Sequence, residues 1–220
     1  MDISEFDLIN EVFVADSVSP IQMDHLLAEG WRHFGQQFFR YNVGFLKNEL
    51  RFVKPLRIKL SEFSFSRSQK RVRRRNQDLK KIIRPVEFDR GKHELFERHS
   101  QRFTHGRPKN IFSFLDEQAA TVPCGTLEFC FLKGERLVAV SYLDIGHQSV
   151  SSVYAMFEPE FSKRSLGIYT MLSEIEYAIE TGKSLYYQGY AYEGESFYDY
   201  KKGFAATECF DWKGNWIELN

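Results

Sequence analysis

The run Ser151-Ser152-Val153-Tyr154-Ala155-Met156-Phe157-Glu158-Pro159, then Ser165-Leu166-Gly167, then Tyr186-Tyr187-Gln188-Gly189-Tyr190 with Lys201 eleven residues further on, decides how the rest of the chain is read. The first piece is rich in β-branched and aromatic residues and stops at a proline, which predicts a strand over 149–157. From Ser165 to Thr181, Ile168, Met171, Leu172, Ile175, Ala178 and Ile179 recur at i, i+3, i+4 and i+7, the stripe of an amphipathic helix, with Glu174, Glu176 and Glu180 assigned to solvent. Gly182 ends that helix, and 184–191 reads as a buried strand. Strand, helix, strand is a βαβ unit, and the glycine near the helix start and the tyrosines on the second strand make it the candidate site.

Outward from this unit the elements are short. Residues 126–132 and 136–144 form a hairpin around Lys133-Gly134-Glu135, and 207–219 form another with Lys213-Gly214 at its turn. Upstream, residues 1–20 read as an extended arm ending at Pro20, 21–29 as a helix stopped by Gly30, and 31–42 and 50–60 as strands joined around Gly35 and Gly44. A helix capped by Ser66 or Ser68 is expected to run to about Ile83 and stop before Pro85; further helices are expected over 89–105 and 112–119.

A hydrophobic content of 43% with 16% aromatics suffices for a buried core in 220 residues. No run is apolar enough to span a bilayer and the N-terminus lacks a signal-peptide pattern, so a cytoplasmic protein without membrane partners is expected. Cys124, Cys130 and Cys209 make no C-x-x-C pair and are expected as buried reduced thiols. His93, His99 and His105 recur every six residues, which suits no metal-ligand set, so no metal and no cofactor are expected.

Formal net charge is zero, but it is sorted. Arg67, Lys70, Arg71, Arg73, Arg74, Arg75, Lys80, Lys81 and Arg84 face one acid, Asp78, leaving +8 on this block and −8 on the remainder. Like charges at i,i+4 cost helix stability, and an uncompensated cost implies a polyanionic partner such as an RNA backbone.

An antiparallel meander followed by strand, helix, strand and a terminal hairpin resembles the GNAT acyltransferase fold: α+β, with a mixed central sheet and flanking helices. Residues 1–65 would form an N-terminal helix and strands packed on a transferase domain over 66–220 that includes the basic helix. The loop Ser162-Lys163-Arg164-Ser165-Leu166-Gly167 has one glycine and no Q/R-x-x-G-x-G/A pattern, which speaks against coenzyme A. The chain resembles the arginyl-tRNA-protein transferase family and its bacterial leucyl-transferring relatives. The resemblance rests on Asp144, Ser151 to Tyr154, Phe157 to Pro159, Ser165 to Gly167, Glu174 to Glu176, Tyr187, Gly189-Tyr190 and Tyr200-Lys201, with a second block at Gly30-Trp31-Arg32, Gly35, Pro55 to Ile58, Phe65 to Arg71 and Arg75-Asn76. Where the family carries an N-terminal cysteine cluster this chain reads Tyr41 to Leu46, and Glu195-Ser196 and Tyr198 replace its Cys-Pro and methionine.

The resemblance implies transfer of arginine or leucine from its tRNA to the N-terminal α-amine of an acceptor protein or peptide with an acidic first residue. On that reading the candidate base is Asp144 or Glu158, Tyr187 and Tyr190 are candidate orienting groups, and Ser66, Arg67, Ser68, Gln69, Lys70, Arg71, Arg75, Ser165, Gly167, Tyr200 and Lys201 are candidate substrate-binding residues. A coenzyme A dependent GNAT N-acetyltransferase and a non-catalytic tRNA-binding protein are the alternatives.

Overall fold

The computed structural model describes residues 7–46, 49–103 and 106–219. Its strands are β1 (Asn10–Val14), β2 (Arg32–Phe34), β3 (Gln37–Tyr41), β4 (Val43–Leu46), β5 (Glu49–Lys59), β6 (Lys80–Pro85), β7 (Thr126–Lys133), β8 (Arg136–Ile145), β9 (Ser149–Phe157), β10 (Leu185–Tyr192), β11 (Thr207–Phe210) and β12 (Trp216–Glu218). The helices are α1 (Pro20–Ala28), α2 (Arg67–Arg75), α3 (Arg90–Ser100) and α4 (Leu166–Glu180). A large mixed sheet runs β12-β11-β5-β10-β9-β8-β7-β6, with β4 on the start of β5, and β1-β3-β2 form a small second sheet.

In the large sheet the β9–β10 pair is parallel and the other pairs are antiparallel. A parallel pair needs a crossover, and α4 is that crossover. Alternation along the strands divides the side chains between two faces. Phe129, Phe131, Leu143, Val150 and Tyr186 pack under α4, whereas Cys130, Val140, Tyr142 and Met156 pack under α3. A third cluster, Met23, Leu27, Trp31, Phe38 and Tyr187, seats α1 and the small sheet on the strand end that carries the site.

Several expectations change. The N-terminal arm contains β1, which pairs with β3 from Asn10↔Tyr41 to Val14↔Gln37. Strand β5, assigned to the N-terminal segment, lies inside the large sheet between β10 and β11, so residue 65 divides no layer of that sheet. Gly44 is within β4 rather than in a connection. The basic helix is shorter than expected. Asn76 caps it, donating from Nδ2 to the Val72 carbonyl, and the chain then enters β6, where Ile82 and Ile83 pair with Cys130 and Phe129. Residues 112–119 form no α-helix; a 3₁₀ turn covers Ile111–Ser113. Helix α3 ends at Ser100, and His105 lies outside the described residues.

Glu174 is fully buried, against expectation. It stands at i+3 from Met171 and i−4 from Ala178, in the middle of the apolar stripe, so helical geometry turns it toward the sheet. Ile179, assigned to that stripe, is exposed in the last turn. Cys124 and Cys130 are buried thiols and Cys209 is partly exposed. No helix among the described residues is long and apolar enough to cross a membrane.

Candidate active site

Strands β9 and β10 pair only at Leu185↔Ser149, Tyr186↔Val150 and Tyr187↔Ser151. Beyond that point β10 continues against β5 with a bulge between Tyr187 and Gly189, while β9 continues against β8 with its own irregularity between Tyr142 and Leu143. The two parallel strands therefore part, and backbone groups along the parting need other partners. Arg32, at the start of β2, supplies one: Nη2 donates to the Ser152 carbonyl, while Nη1 donates to the Ser151 side-chain Oγ at 2.6 Å. Burial lowers the Arg32 pKa, opposed first by Asp144. A guanidinium titrates so high that it stays charged.

Gly189 lies in the bulge at φ +90, a conformation that favours glycine. A Cβ there would stand 3.2 Å from Lys201 Nζ and 3.6 Å from Arg32 Nη2, so the missing side chain lets two cations converge on the backbone. Lys201 donates to the Tyr190 carbonyl at 3.2 Å and sits 5.1 Å over the Tyr198 ring. It rides on a 3₁₀ turn, Asp199–Lys201, which Ser196 braces through its backbone N–H and hydroxyl to the Asp199 carboxylate. Burial, and then the charge of Arg32, lower the Lys201 pKa to about 7.

The two carboxylates expected as bases are both committed elsewhere. Asp144, at the end of β8, is buried; His33 Nε2 lies 2.8 Å from Oδ2 and Thr126 Oγ1 donates to Oδ1 at 2.7 Å. Cys124 completes a buried His33, Cys124 and Asp144 group whose polar atoms lie within 4.8 Å of one another. Glu158 is buried at the far end of β9, held by Arg98 at 2.7 Å and Arg136 at 3.2 Å. Burial would raise its pKa, but those hydrogen bonds outweigh it and hold the carboxyl below its usual range. Seven residues of strand separate Ser151 from Glu158, roughly 20 Å at 3.3 Å per residue, so Glu158 and Tyr187 do not share a site.

The tyrosines form walls. Tyr187 is buried edge-on to Trp216 at 5.5 Å, and Tyr190 donates its hydroxyl to the Gly30 carbonyl at 2.7 Å while its ring meets Tyr41 and Phe39. Tyr200 is exposed at the mouth. A buried pair that the sequence concealed lies beneath: Tyr186 donates to Glu174 at 2.6 Å. Burial lifts the Glu174 carboxyl to about 7, with the hydrogen bond from the Tyr186 hydroxyl acting against it.

On the α4 side, Ser66 and Gln69 form a reciprocal capping box for α2, and Ser68 bonds to Ser66, so these three residues shape the helix start. Arg67, Lys70, Arg71, Arg73 and Arg74 line an open groove with Gln77, Tyr169 and Glu176. Arg73 pairs with Glu176 and lies 4.3 Å over the Phe65 ring; no ion pair reaches Arg67, Lys70, Arg71 or Arg74 among the described residues. The end of α2 is anchored to the loop before α4: Arg75 donates to the Lys163 carbonyl at 2.6 Å and Asn76 to that of Arg164 at 3.0 Å. Ser165 is left-handed (φ 56) and caps α4 with no side-chain bond, and Gly167 opens the first turn beside Phe157. The basic groove thus adjoins the βαβ loop through α2, whereas Asp144, Tyr190 and Lys201 gather around Arg32. His33 carries no local signal in the sequence, and Arg32, Ser151 and Glu174 fall within the segments of the family resemblance with no role attached to them.

Comparison with known proteins gives a consistent picture. The family model described as "Arginine-tRNA-protein transferase, C terminus" matches residues 91–211. An aspartate/glutamate leucyltransferase of Acinetobacter baumannii is 28% identical over 208 residues, covering 92% of this chain and 74% of that protein. One of Leptospira interrogans is 26% identical over 221 residues, covering 93% and 81%. Among solved structures, the C-terminal DUF2156 domain of a candidate lysylphosphatidylglycerol synthetase from Agrobacterium fabrum superposes with a TM-score of 0.51 at 13% identity, covering 83% of this chain and 55% of that one, a likeness of fold alone.

Proposed function

Since this chain belongs to the arginine-tRNA-protein transferase family and is an aminoacyl-tRNA-protein transferase, we propose that its donor is leucyl-tRNA and its acceptor the α-amine of a chain beginning with Asp or Glu. The names of its relatives support that pairing.

The observation that carries the reading is the set of exposed, unpaired bases on α2 beside the loop that opens α4. Four cations held at helical spacing, with no ion pair among the described residues, suit the phosphates of an acceptor stem, and Tyr169 offers a ring beside them. The reaction asks little acid or base chemistry of the protein. An α-amine has a reference pKa of about 7.7–8.0, so a useful fraction is neutral near pH 7, and the ester is already activated. Orientation of amine and ester then supplies most of the acceleration. On attack the amine nitrogen bonds to the ester carbon, the carbon–oxygen bond to the tRNA ribose breaks, and the amine proton leaves as the ribose oxygen regains one. Asp144 acts here through Arg32, as a buried counter-charge, and Tyr190 acts as a wall.

The test uses purified protein with labelled leucyl- and arginyl-tRNA and peptides beginning with Asp, Glu, Lys or Arg. Transfer of leucine to the Asp and Glu peptides is expected. Transfer of arginine instead would overturn the donor assignment, and transfer to Lys or Arg peptides would overturn the acceptor assignment. Acetyl transfer from acetyl coenzyme A would favour the acetyltransferase alternative.

A further inference from the structure

We propose that Arg32 and Lys201, converging over the side-chain-free Gly189, form the subsite that holds the side-chain carboxylate of the acceptor's first residue. This deepens the acceptor reading given above and rests on it. Both cationic heads lie within 4 Å of the one point that a Gly189 Cβ would occupy, a spread that the two oxygens of a carboxylate can bridge. Arg32 is fixed by Ser151 Oγ and the Ser152 carbonyl, so its guanidinium is preorganised at the parting of β9 and β10. Asp144 balances the Arg32 charge from below. Lys201 has no carboxylate partner among the described residues: one of its three ammonium protons goes to the Tyr190 carbonyl and its remaining contact is the face of Tyr198.

A half-buried ammonium with unfilled donors beside a second cation is costly unless an anion arrives. Its lowered pKa is the same cost expressed as a tendency to lose the proton. The site is reachable: Phe197, Tyr198 and Tyr200, on the segment that carries Lys201, are all exposed. In an N-terminal aspartate the carboxyl carbon is two bonds from Cα. Anchoring it therefore fixes the α-amine within one side-chain length of the pair, at the parted strands.

The experiment compares Asp-, Asn-, Glu- and Gln-initiated peptides as acceptors for wild type, Lys201→Met and Lys201→Arg, with calorimetric binding of the Asp and Asn peptides run alongside. Wild type is expected to prefer Asp over Asn, and Glu over Gln, by at least about tenfold in kcat/KM, the scale of one charge-assisted hydrogen bond. Lys201→Met should collapse that ratio toward one through KM, and Lys201→Arg should restore part of it. A ratio unchanged in Lys201→Met, or a loss shared equally by charged and neutral acceptors, would overturn the subsite, the latter by moving Lys201 to the reacting carbonyl. If wild type transfers nothing yet binds the Asp peptide in a Lys201-dependent way, the subsite stands and the transfer reading fails instead.

Discussion

Removing the unpaired bases of α2 should weaken tRNA binding and its salt dependence while leaving the fold as stable or slightly more so. The variant Arg67→Gln, Lys70→Gln, Arg71→Gln, Arg74→Gln changes the four groove cations that lack ion pairs and keeps the capping box of Ser66 and Gln69 intact. Each phosphate neutralised contributes about −0.7 to −0.9 to the slope of log K against log salt, so four lost contacts should make the slope shallower by about 3. Over a fourfold rise in salt, from about 50 to 200 mM, wild type should then lose roughly 60-fold more affinity than the variant. Arg67 and Arg71, Lys70 and Arg74, and Arg71 and Arg75 are i,i+4 like-charge pairs on this helix. Relieving about 0.2–0.5 kcal/mol at each should stabilise the chain by about 1 kcal/mol. Glutamine has nearly the helix propensity of the residues it replaces, and in a chain of this size 1 kcal/mol raises Tm by about 2–4 °C. Fluorescence anisotropy of labelled tRNA across a salt series, with thermal melts of the same samples, reads both quantities. An unchanged salt slope would remove α2 from the RNA interface. A Tm lowered by many degrees would make the basic helix a structural element.

Glu174→Gln should change the pH dependence of stability. The folded carboxyl titrates near 7 against an unfolded value near 4.5, so its contribution is fully present below the unfolded value and is lost as pH rises through 7. The loss amounts to roughly 3 kcal/mol; the variant should match wild type near pH 4.5 and exceed it at pH 8, and equal melts at both pH values would refute the assignment. Gly189→Ala should destabilise by about 1–3 kcal/mol from the φ +90 backbone and the 3.2 Å approach of Lys201, and should also lower transfer; a neutral melt would contradict the described backbone. For wild type, the Asp-over-Asn acceptor preference should fall as pH rises through about 7, because Lys201 loses its proton there. Arg32 is the charged neighbour of that ammonium, Tyr190 and Tyr198 surround it, and a preference flat from pH 6 to 9 would show that Lys201 carries no charge the acceptor feels.

The meander and the βαβ unit were legible because their periods are clean. Strands β7, β8 and β9 fall where alternation and the Gly134 turn place them, and α4 follows its apolar stripe to within a residue. What failed is physically specific. The end of α2 was hidden because Lys80 and Lys81 continue the charge pattern across a boundary that Asn76 sets with a side-chain cap. The residue type of Glu174 points to solvent while its helical position turns it inward, and its partner Tyr186 is what makes a carboxyl tolerable there. Arg32 reaches Ser151 across 119 residues of sequence, and no local pattern encodes such a contact. The basic cluster of α2 is visible in the sequence as a charge run, whereas Lys201 enters only through the Tyr200-Lys201 piece of the family resemblance. The tyrosines were ambiguous, since a ring that lines a cleft and one that packs a core are the same residue in sequence.

The placement of charge then explains why the N-terminal layer and the βαβ unit form one site. A parted parallel pair exposes backbone acceptors that, without Arg32, would need water or substrate. The guanidinium that reaches the Ser152 carbonyl is itself buried, and the charge of Asp144, held by His33 and Thr126, is the largest influence opposing that cost. Lys201 beside it has no carboxylate partner among the described residues. The parting of β9 and β10 therefore carries one cation near a buried carboxylate and one without a carboxylate partner among the described residues. An arrangement built only for stability would have matched both, because an unpaired ammonium in a crowded cleft gains nothing for the fold. Under the proposed subsite, a neutral acceptor would leave Lys201 as it was, and an acidic one would complete it.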